Sequence, residues 1–140
     1  MVKDLVDLLI EVLVKEKESL NQLLGLLDKQ YKLIMDKDIF GLEQIVEDIQ
    51  YCNKEVAVLE IERRKVLNEN TISEILENIE NENLENIYRE IQKMLNEVIL
   101  QKNTNELLIK QQLSFTNKLL AILNPRREVP IYNSYGNIKR

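Results

Sequence analysis

The fold is decided by the forty residues from Leu84 to Leu123, LENIYREIQKMLNEVILQKNTNELLIKQQLSFTNKLLAIL. This stretch contains no Gly and no Pro, and its apolar residues recur at steps of three and four, the period of an amphipathic helix. At about 1.5 Å per residue, a helix of this length would span roughly 60 Å. We expect it to stop at Asn124, because the ring of Pro125 disfavours a helical conformation in the residue before it.

Two further long helices and one short helix are predicted before this stretch. The first covers about residues 2–35, and the second covers about residues 39–68 with Asp38 as its N-cap. Thr-Ile-Ser-Glu at 71–74 matches the capping box and opens a short helix that reaches Ile79.

The connections between these helices are brief, so the helices must fold back on one another. The sequence therefore predicts an all-α protein, an elongated antiparallel bundle of three long helices and one short helix over residues 1–124. Residues 125–140 contain both Pro residues, four basic side chains and few apolar anchors. We expect a flexible C-terminal tail over these residues.

The composition argues against several functional classes. A net charge of −5 opposes nucleic-acid binding, which needs a basic face. The chain has no His and a single Cys, so a zinc site, an intrachain disulfide and a His or Cys catalytic constellation are not expected. It also has no Gly-rich phosphate loop, and we expect neither a cofactor nor enzymatic activity. Acidic residues inside the first apolar stretch argue against a signal peptide and a membrane span, which predicts a soluble, intracellular protein.

Acidic side chains concentrate between Glu69 and Glu90, where seven Glu face one basic residue, Arg89. Such a cluster forms either a solvated face beside a bend or a docking surface for a basic partner. The sequence leaves both interpretations open.

The last helix carries two apolar stripes rather than one. The first is Leu84, Ile87, Ile91, Met94, Val98, Leu108, Phe115, Leu119 and Ile122, and the second is Tyr88, Leu95, Ile99, Ile109, Leu113, Leu120 and Leu123. Either the first helix covers one stripe and the second helix covers the other, or the C-terminal half leaves apolar surface free for a partner helix. On the second interpretation Leu108, Phe115, Leu119 and Ile122 supply the spacing of anchors that a groove for a helix requires.

Polar residues interrupt the apolar stripes at Glu16, Gln101, Asn105 and Gln112. A polar side chain at a core position costs stability but fixes the register of helix pairing. The alternative is that Asn105, Gln111 and Gln112 lie in a groove and form hydrogen bonds with a bound peptide. Pairs such as Glu60 with Arg63 are interpreted as surface ion pairs.

The C-terminal third contains Asn105-Glu-Leu-Leu108, then Gln112-Leu113, Leu119-Leu120 and finally Tyr135-Gly136. Further back, Leu59-Glu60 is followed by Arg63, and the first helix has four Leu residues at 20, 23, 24 and 27 after Glu16. With these features the whole chain resembles the FlgN family of flagellar type III export chaperones.

This resemblance implies a cytoplasmic chaperone that masks the aggregation-prone terminal helices of hook-associated proteins and delivers this cargo to the flagellar export gate. The cargo-binding residues would be Asn105, Leu108, Gln111, Gln112, Phe115, Leu119 and Ile122. The resemblance implies that Tyr135, with Gly136 beside it, docks at the export gate, and Tyr132 is the alternative docking residue.

Two other functions remain open at this point. The chain could be a structural protein that forms homo-oligomers through its apolar stripes, or a regulatory binding protein such as an adaptor. A chaperone is expected to be a monomer without cargo, whereas a structural protein would form a stable dimer or tetramer.

Overall fold

The structure is a computed structural model that describes the backbone of residues 2–124, 131–132 and 138–139, and the side chains of residues 5–124. The described elements are α1 (Val2–Met35), α2 (Ile39–Leu67), α3 (Ile72–Asn78), α4 (Glu82–Leu123), β1 (Ile131–Tyr132) and β2 (Ile138–Lys139). Apart from four strand residues, this part of the chain has the three long helices and one short helix that the sequence predicts. The all-α class is confirmed.

The start of α2 is set by a close turn after α1. Lys37 has a positive φ of 57°, and the Asp38 side chain accepts a hydrogen bond from the backbone N–H of Gly41 at 3.0 Å. A Cβ added at Gly41 would lie 2.6 Å from Leu33 Cδ2 and 2.8 Å from Asp38 Oδ2, so a larger residue here would require these side chains to shift. Asp38 is the N-cap that the sequence predicts.

The capping box at α3 is present in full. The N–H of Glu74 donates to Thr71 Oγ1 at 3.1 Å, and the N–H of Thr71 donates to Glu74 Oε2 at 3.3 Å. These bonds satisfy two backbone donors that the first turn of a helix otherwise leaves free. Asn81 plays a similar part at α4, where its Oδ1 accepts from the N–H of Leu84 at 3.0 Å.

The chain divides after Asn105 into two compact units, residues 1–105 and residues 106–140. In the first unit α1 and α2 are antiparallel, because Glu16 pairs with Arg63 whereas Ser19 contacts Cys52, so residue numbers run in opposite directions. The part of α4 in this unit runs parallel to α1, because Lys17 pairs with Glu90 and Leu27 bonds to Asn105. The result is an up-down-up arrangement.

The core of the first unit lies along α1 in two clusters. The first cluster joins the N-terminal half of α1 to the end of α2, to α3 and to the start of α4, through Val6, Leu9, Leu13, Leu20, Leu67, Ile72, Ile75, Leu84, Ile87 and Ile91. The second lies farther along α1 and contains Leu23, Leu27, Cys52 and Val98. Burying a side chain of this size contributes about 1.5–3 kcal/mol, so these clusters supply the stability that isolated amphipathic helices lack.

The second unit is described over the last part of α4 and the two short strands. No side chain between Glu106 and Asn124 is buried. The strands pair antiparallel, with Ile131 opposite Lys139 and Tyr132 opposite Ile138. No pattern in the sequence predicts this pairing, and the flexibility expected for residues 125–140 stays a prediction.

Candidate partner-binding surface

The exposed apolar residues near the end of α4 form the candidate site. Phe115, Leu119 and Ile122 are 66%, 44% and 76% exposed, and we call these three residues the C-terminal stripe. Their spacing of four and three residues puts them on one face of the helix. Earlier in the same helix, Leu84 and Val98 are buried. The first apolar stripe thus contributes to the core in the first unit, whereas its last three residues, in the second unit, are exposed.

The other groove residues predicted in the second unit lie around the C-terminal stripe. Gln111 is exposed four residues before Phe115, and Leu108 is half-buried seven residues before it. Gln112 is half-buried, and its backbone carbonyl accepts a hydrogen bond from Thr116 Oγ1 at 2.9 Å. Gln111 is therefore an exposed side-chain amide one turn before Phe115, and Leu108 is a half-buried apolar side chain two turns before it.

Asn105 differs from the rest of the predicted site because it is buried, with 1% of its surface exposed. Its Nδ2 donates to the Leu27 carbonyl at 2.8 Å and to Gln30 Oε1 at 2.9 Å. Its Oδ1 accepts from Gln101 Nε2 at 2.9 Å. The structure therefore places Asn105 in the core between α1 and α4 and not on the exposed surface, which corrects its assignment to the groove.

The network around Asn105 fits the register-setting interpretation of the sequence analysis. A buried amide that has lost water needs such partners, since an unpaired one costs about 1–3 kcal/mol. Gln30 was missed from the sequence because it lies 75 residues from Asn105 and no local pattern links the two.

Glu16 and Arg63 form a second polar contact inside the first unit. Arg63 Nη1 lies 2.9 Å from Glu16 Oε2, and Glu16 is 5% exposed. Burial raises the pKa of Glu16 above its ordinary value, while the charge of Arg63 and its hydrogen bond act in the opposite direction. The predicted ion pair of Arg63 with Glu60 is present at 3.7 Å, but the shorter bond of Arg63, at 2.9 Å, goes to the buried carboxylate of Glu16, which the sequence did not indicate.

A groove between α1 and α2 is a rival binding surface that the sequence did not single out. Two adjoining cavities of about 460 Å³ each share Gln22, Tyr51 and Glu55 in their linings. Tyr51 is exposed, and a Cβ added at Gly25 would meet no atom within 4 Å, so the groove is open there. Cys52 also lines it, but its thiol is buried and burial raises its pKa, which makes a reactive thiolate unfavourable.

The structure does not describe the side chains of the residues predicted to dock at the export gate. Tyr135 and Gly136 lie outside the described residues. Tyr132, the rival, is in β1, and its backbone pairs with Ile138. The docking role of all three stays a prediction.

Features of other classes of site are not found in the described part of the chain. No group of three or more His, Cys, Asp or Glu there could hold a metal ion. None of the described helices has the length and apolar content that crossing a membrane requires.

An all-α chain whose last helix presents an exposed apolar stripe, with no metal-holding cluster among its described residues, has the features of a helical binding protein. The family model described as FlgN protein matches residues 1–140, and the chain belongs to the FlgN family, which is a family of flagellar export chaperones. No curated protein and no solved structure matches the chain.

Proposed function

We propose that this protein is a cytoplasmic chaperone for hook-associated proteins, which binds their C-terminal helical region on the C-terminal stripe of α4. The observation that carries the proposal is the exposure of Phe115, Leu119 and Ile122 in a chain that belongs to the FlgN family. Exposed apolar side chains at helical spacing are what a partner helix needs for docking.

The chemistry of the site fits an amphipathic helix. Phe115 offers a large flat side chain that buries much apolar area with only two rotatable bonds, which is why aromatic residues dominate the energetics of such contacts. Gln111 can form a hydrogen bond with a polar side chain at the edge of the cargo helix. Leu108 and Gln112 complete the proposed surface, and Asn105 supports it from the core by fixing α4 against α1.

Masking the cargo helix follows from the same contact. A terminal helix with an apolar stripe gains little stability alone and aggregates through that stripe. Covering it with the chaperone removes the stripe from water, and ordering the cargo segment costs several kcal/mol of the gain. The complex is therefore expected to be reversible, as delivery requires.

We further propose that the tail hands the complex to the flagellar export gate, with Tyr135 and Gly136 as the docking residues. Support for this step comes from the family resemblance at Tyr135-Gly136.

The function as a whole is tested by deleting the gene in the flagellated cell that encodes it and measuring secreted hook-associated proteins by immunoblot. We expect their secretion to fall while hook protein, secreted by the same apparatus, stays at the normal level, and plasmid-borne wild type to restore it. Unchanged secretion of hook-associated proteins would refute the proposed function. Light scattering on the purified chain gives an independent check, since a stable oligomer without cargo would favour the structural alternative.

A further inference from the structure

The net charge of the chain changes sign between Glu106 and Leu107, one residue beyond the boundary of the two compact units. Residues 1–106 hold 13 basic and 23 acidic side chains, a net charge of −10. Residues 107–140 hold six Lys or Arg and one Glu, a net charge of +5. Between Leu107 and Leu123, α4 carries Lys110 and Lys118 and no acidic residue. The C-terminal stripe therefore lies in a basic segment of an acidic protein.

Lys118 borders the C-terminal stripe directly. It is exposed, three residues after Phe115 and four residues before Ile122, so all three side chains share one face of α4. Among residues 5–124 no carboxylate lies within ion-pair distance of its ammonium group. The Lys118 charge is thus available to a partner, while its carbon chain can lie along the apolar surface.

We propose that the C-terminal stripe selects an amphipathic helix whose apolar positions are bordered by Glu or Asp, and that Lys118 makes the selection by pairing with one of these carboxylates. The inference rests on the proposed function, because it assigns a charge pattern to the cargo helix bound there. An exposed pair adds little affinity, but like charges placed opposite each other discriminate against the wrong partner.

The test uses the full chain and two designed helical peptides whose binding is measured by fluorescence anisotropy at low salt. Both peptides carry the same apolar residues at i, i+3, i+4 and i+7, and their bordering positions are all Glu in one and all Lys in the other. We expect the Glu-bordered peptide to bind about three to ten times more tightly, with a ratio that shrinks as salt is added. The net charge of −5 by itself would favour the Lys-bordered peptide, so the sign of the preference is informative.

Two charge-reversal variants on α4 distinguish a direct contact of Lys118 with the peptide from an effect of the overall charge of the helix. Lys118→Glu should reverse the preference. Lys110→Glu makes the same charge change on the opposite side of α4, because Lys110 lies nine residues, or two and a half turns, before Leu119. This variant should keep the preference for the Glu-bordered peptide. Phe115→Asp should weaken binding of both peptides.

The inference is overturned if the two peptides bind wild type equally, if the Lys-bordered peptide binds better, or if Lys118→Glu and Lys110→Glu behave alike. It is also overturned if neither peptide binds, or if the free chain self-associates and Lys118→Glu abolishes that association, because Lys118 would then face a second copy. Its failure is separable from failure of the proposed function. If gene deletion lowers secretion of hook-associated proteins but the purified chain shows no peptide preference, only the charge inference is refuted. If the chain shows the preference but gene deletion leaves secretion normal, the proposed function is refuted and the charge selection at the C-terminal stripe is not.

Discussion

Asn105 shows how one buried amide positions a helix. Its three hydrogen bonds reach α1 at the Leu27 carbonyl and at Gln30, and α4 itself at Gln101. Each is worth about 1 kcal/mol net, but sliding α4 along α1 would break two of them and leave their polar groups without water. The amide thus specifies the register of α4 just before the C-terminal stripe begins.

We predict that Asn105→Ala lowers the free energy of unfolding by about 1–3 kcal/mol, because the Leu27 carbonyl and Gln30 lose a donor in the core. Urea denaturation followed by circular dichroism measures this change. The matched control is Asn103→Ala, two residues away and exposed, which should stay within about 0.5 kcal/mol of wild type. If Asn105→Ala keeps wild-type stability and loses cargo instead, Asn105 belongs to the binding surface, as the family resemblance implies.

The Glu16–Arg63 pair predicts a contrast between neighbouring arginines. Arg63→Met leaves a buried carboxylate without its cation, whereas Arg64→Met removes only a pair with Glu60 whose arginine side chain is 71% exposed. We expect Arg63→Met to lower the free energy of unfolding by about 1–3 kcal/mol and Arg64→Met to lower it by less than about 0.5 kcal/mol. Equal urea midpoints for the two variants would show that the buried Glu16–Arg63 pair contributes no more to stability than the exposed Glu60–Arg64 pair.

At this scale the sequence predicts which residues are unusual but not their partners. Glu16 and Asn105 stand out because each interrupts an apolar stripe. Arg63 was paired with Glu60 since that pair is visible three residues away, whereas Glu16 is 47 residues distant and becomes a neighbour only when α2 folds against α1.

At the scale of elements, helix ends are predictable because the interactions that set them are local. Asp38 and the Thr71–Glu74 box cap their helices within three residues, as expected from the sequence. The start of α4 was placed at Leu84, two residues late, because the role of Asn81 as a capping acceptor was not recognised. The sequence could not predict which residues of the two apolar stripes on α4 are buried, since this depends on which turns of α4 the other helices contact in the folded chain.

The change in burial along α4 predicts that the same substitution lowers stability by very different amounts at two positions. Val98→Asp puts a carboxylate in the second core cluster and should lower the free energy of unfolding by about 3 kcal/mol or more. Phe115→Asp changes an exposed position and should cost less than about 1 kcal/mol with helicity preserved. Urea denaturation and circular dichroism compare the two. Global unfolding of Phe115→Asp would identify this residue as core.

For the whole molecule, we propose that the helices hold cargo and that the tail docks at the export gate. We predict that Tyr135→Ala leaves thermal stability and cargo binding unchanged and reduces secretion of hook-associated proteins. Deletion of residues 130–140 should do the same. Tyr132→Ala is the control that separates the two candidate tyrosines, and it should secrete normally. Normal secretion by Tyr135→Ala, or loss of cargo from it in a pull-down, would contradict this division.

The central claim, that the C-terminal stripe binds cargo, is tested most directly by titrating a purified hook-associated protein from the same cell into four chains by isothermal calorimetry. These are wild type, Phe115→Asp, Leu119→Asp and the control Phe40→Asp, which removes a Phe that is 83% exposed in the first turn of α2. We predict at least about tenfold weaker binding, or about 1.4 kcal/mol, for the two stripe variants and wild-type affinity for Phe40→Asp. Wild-type affinity in Phe115→Asp and Leu119→Asp would contradict the claim and direct attention to the groove around Tyr51.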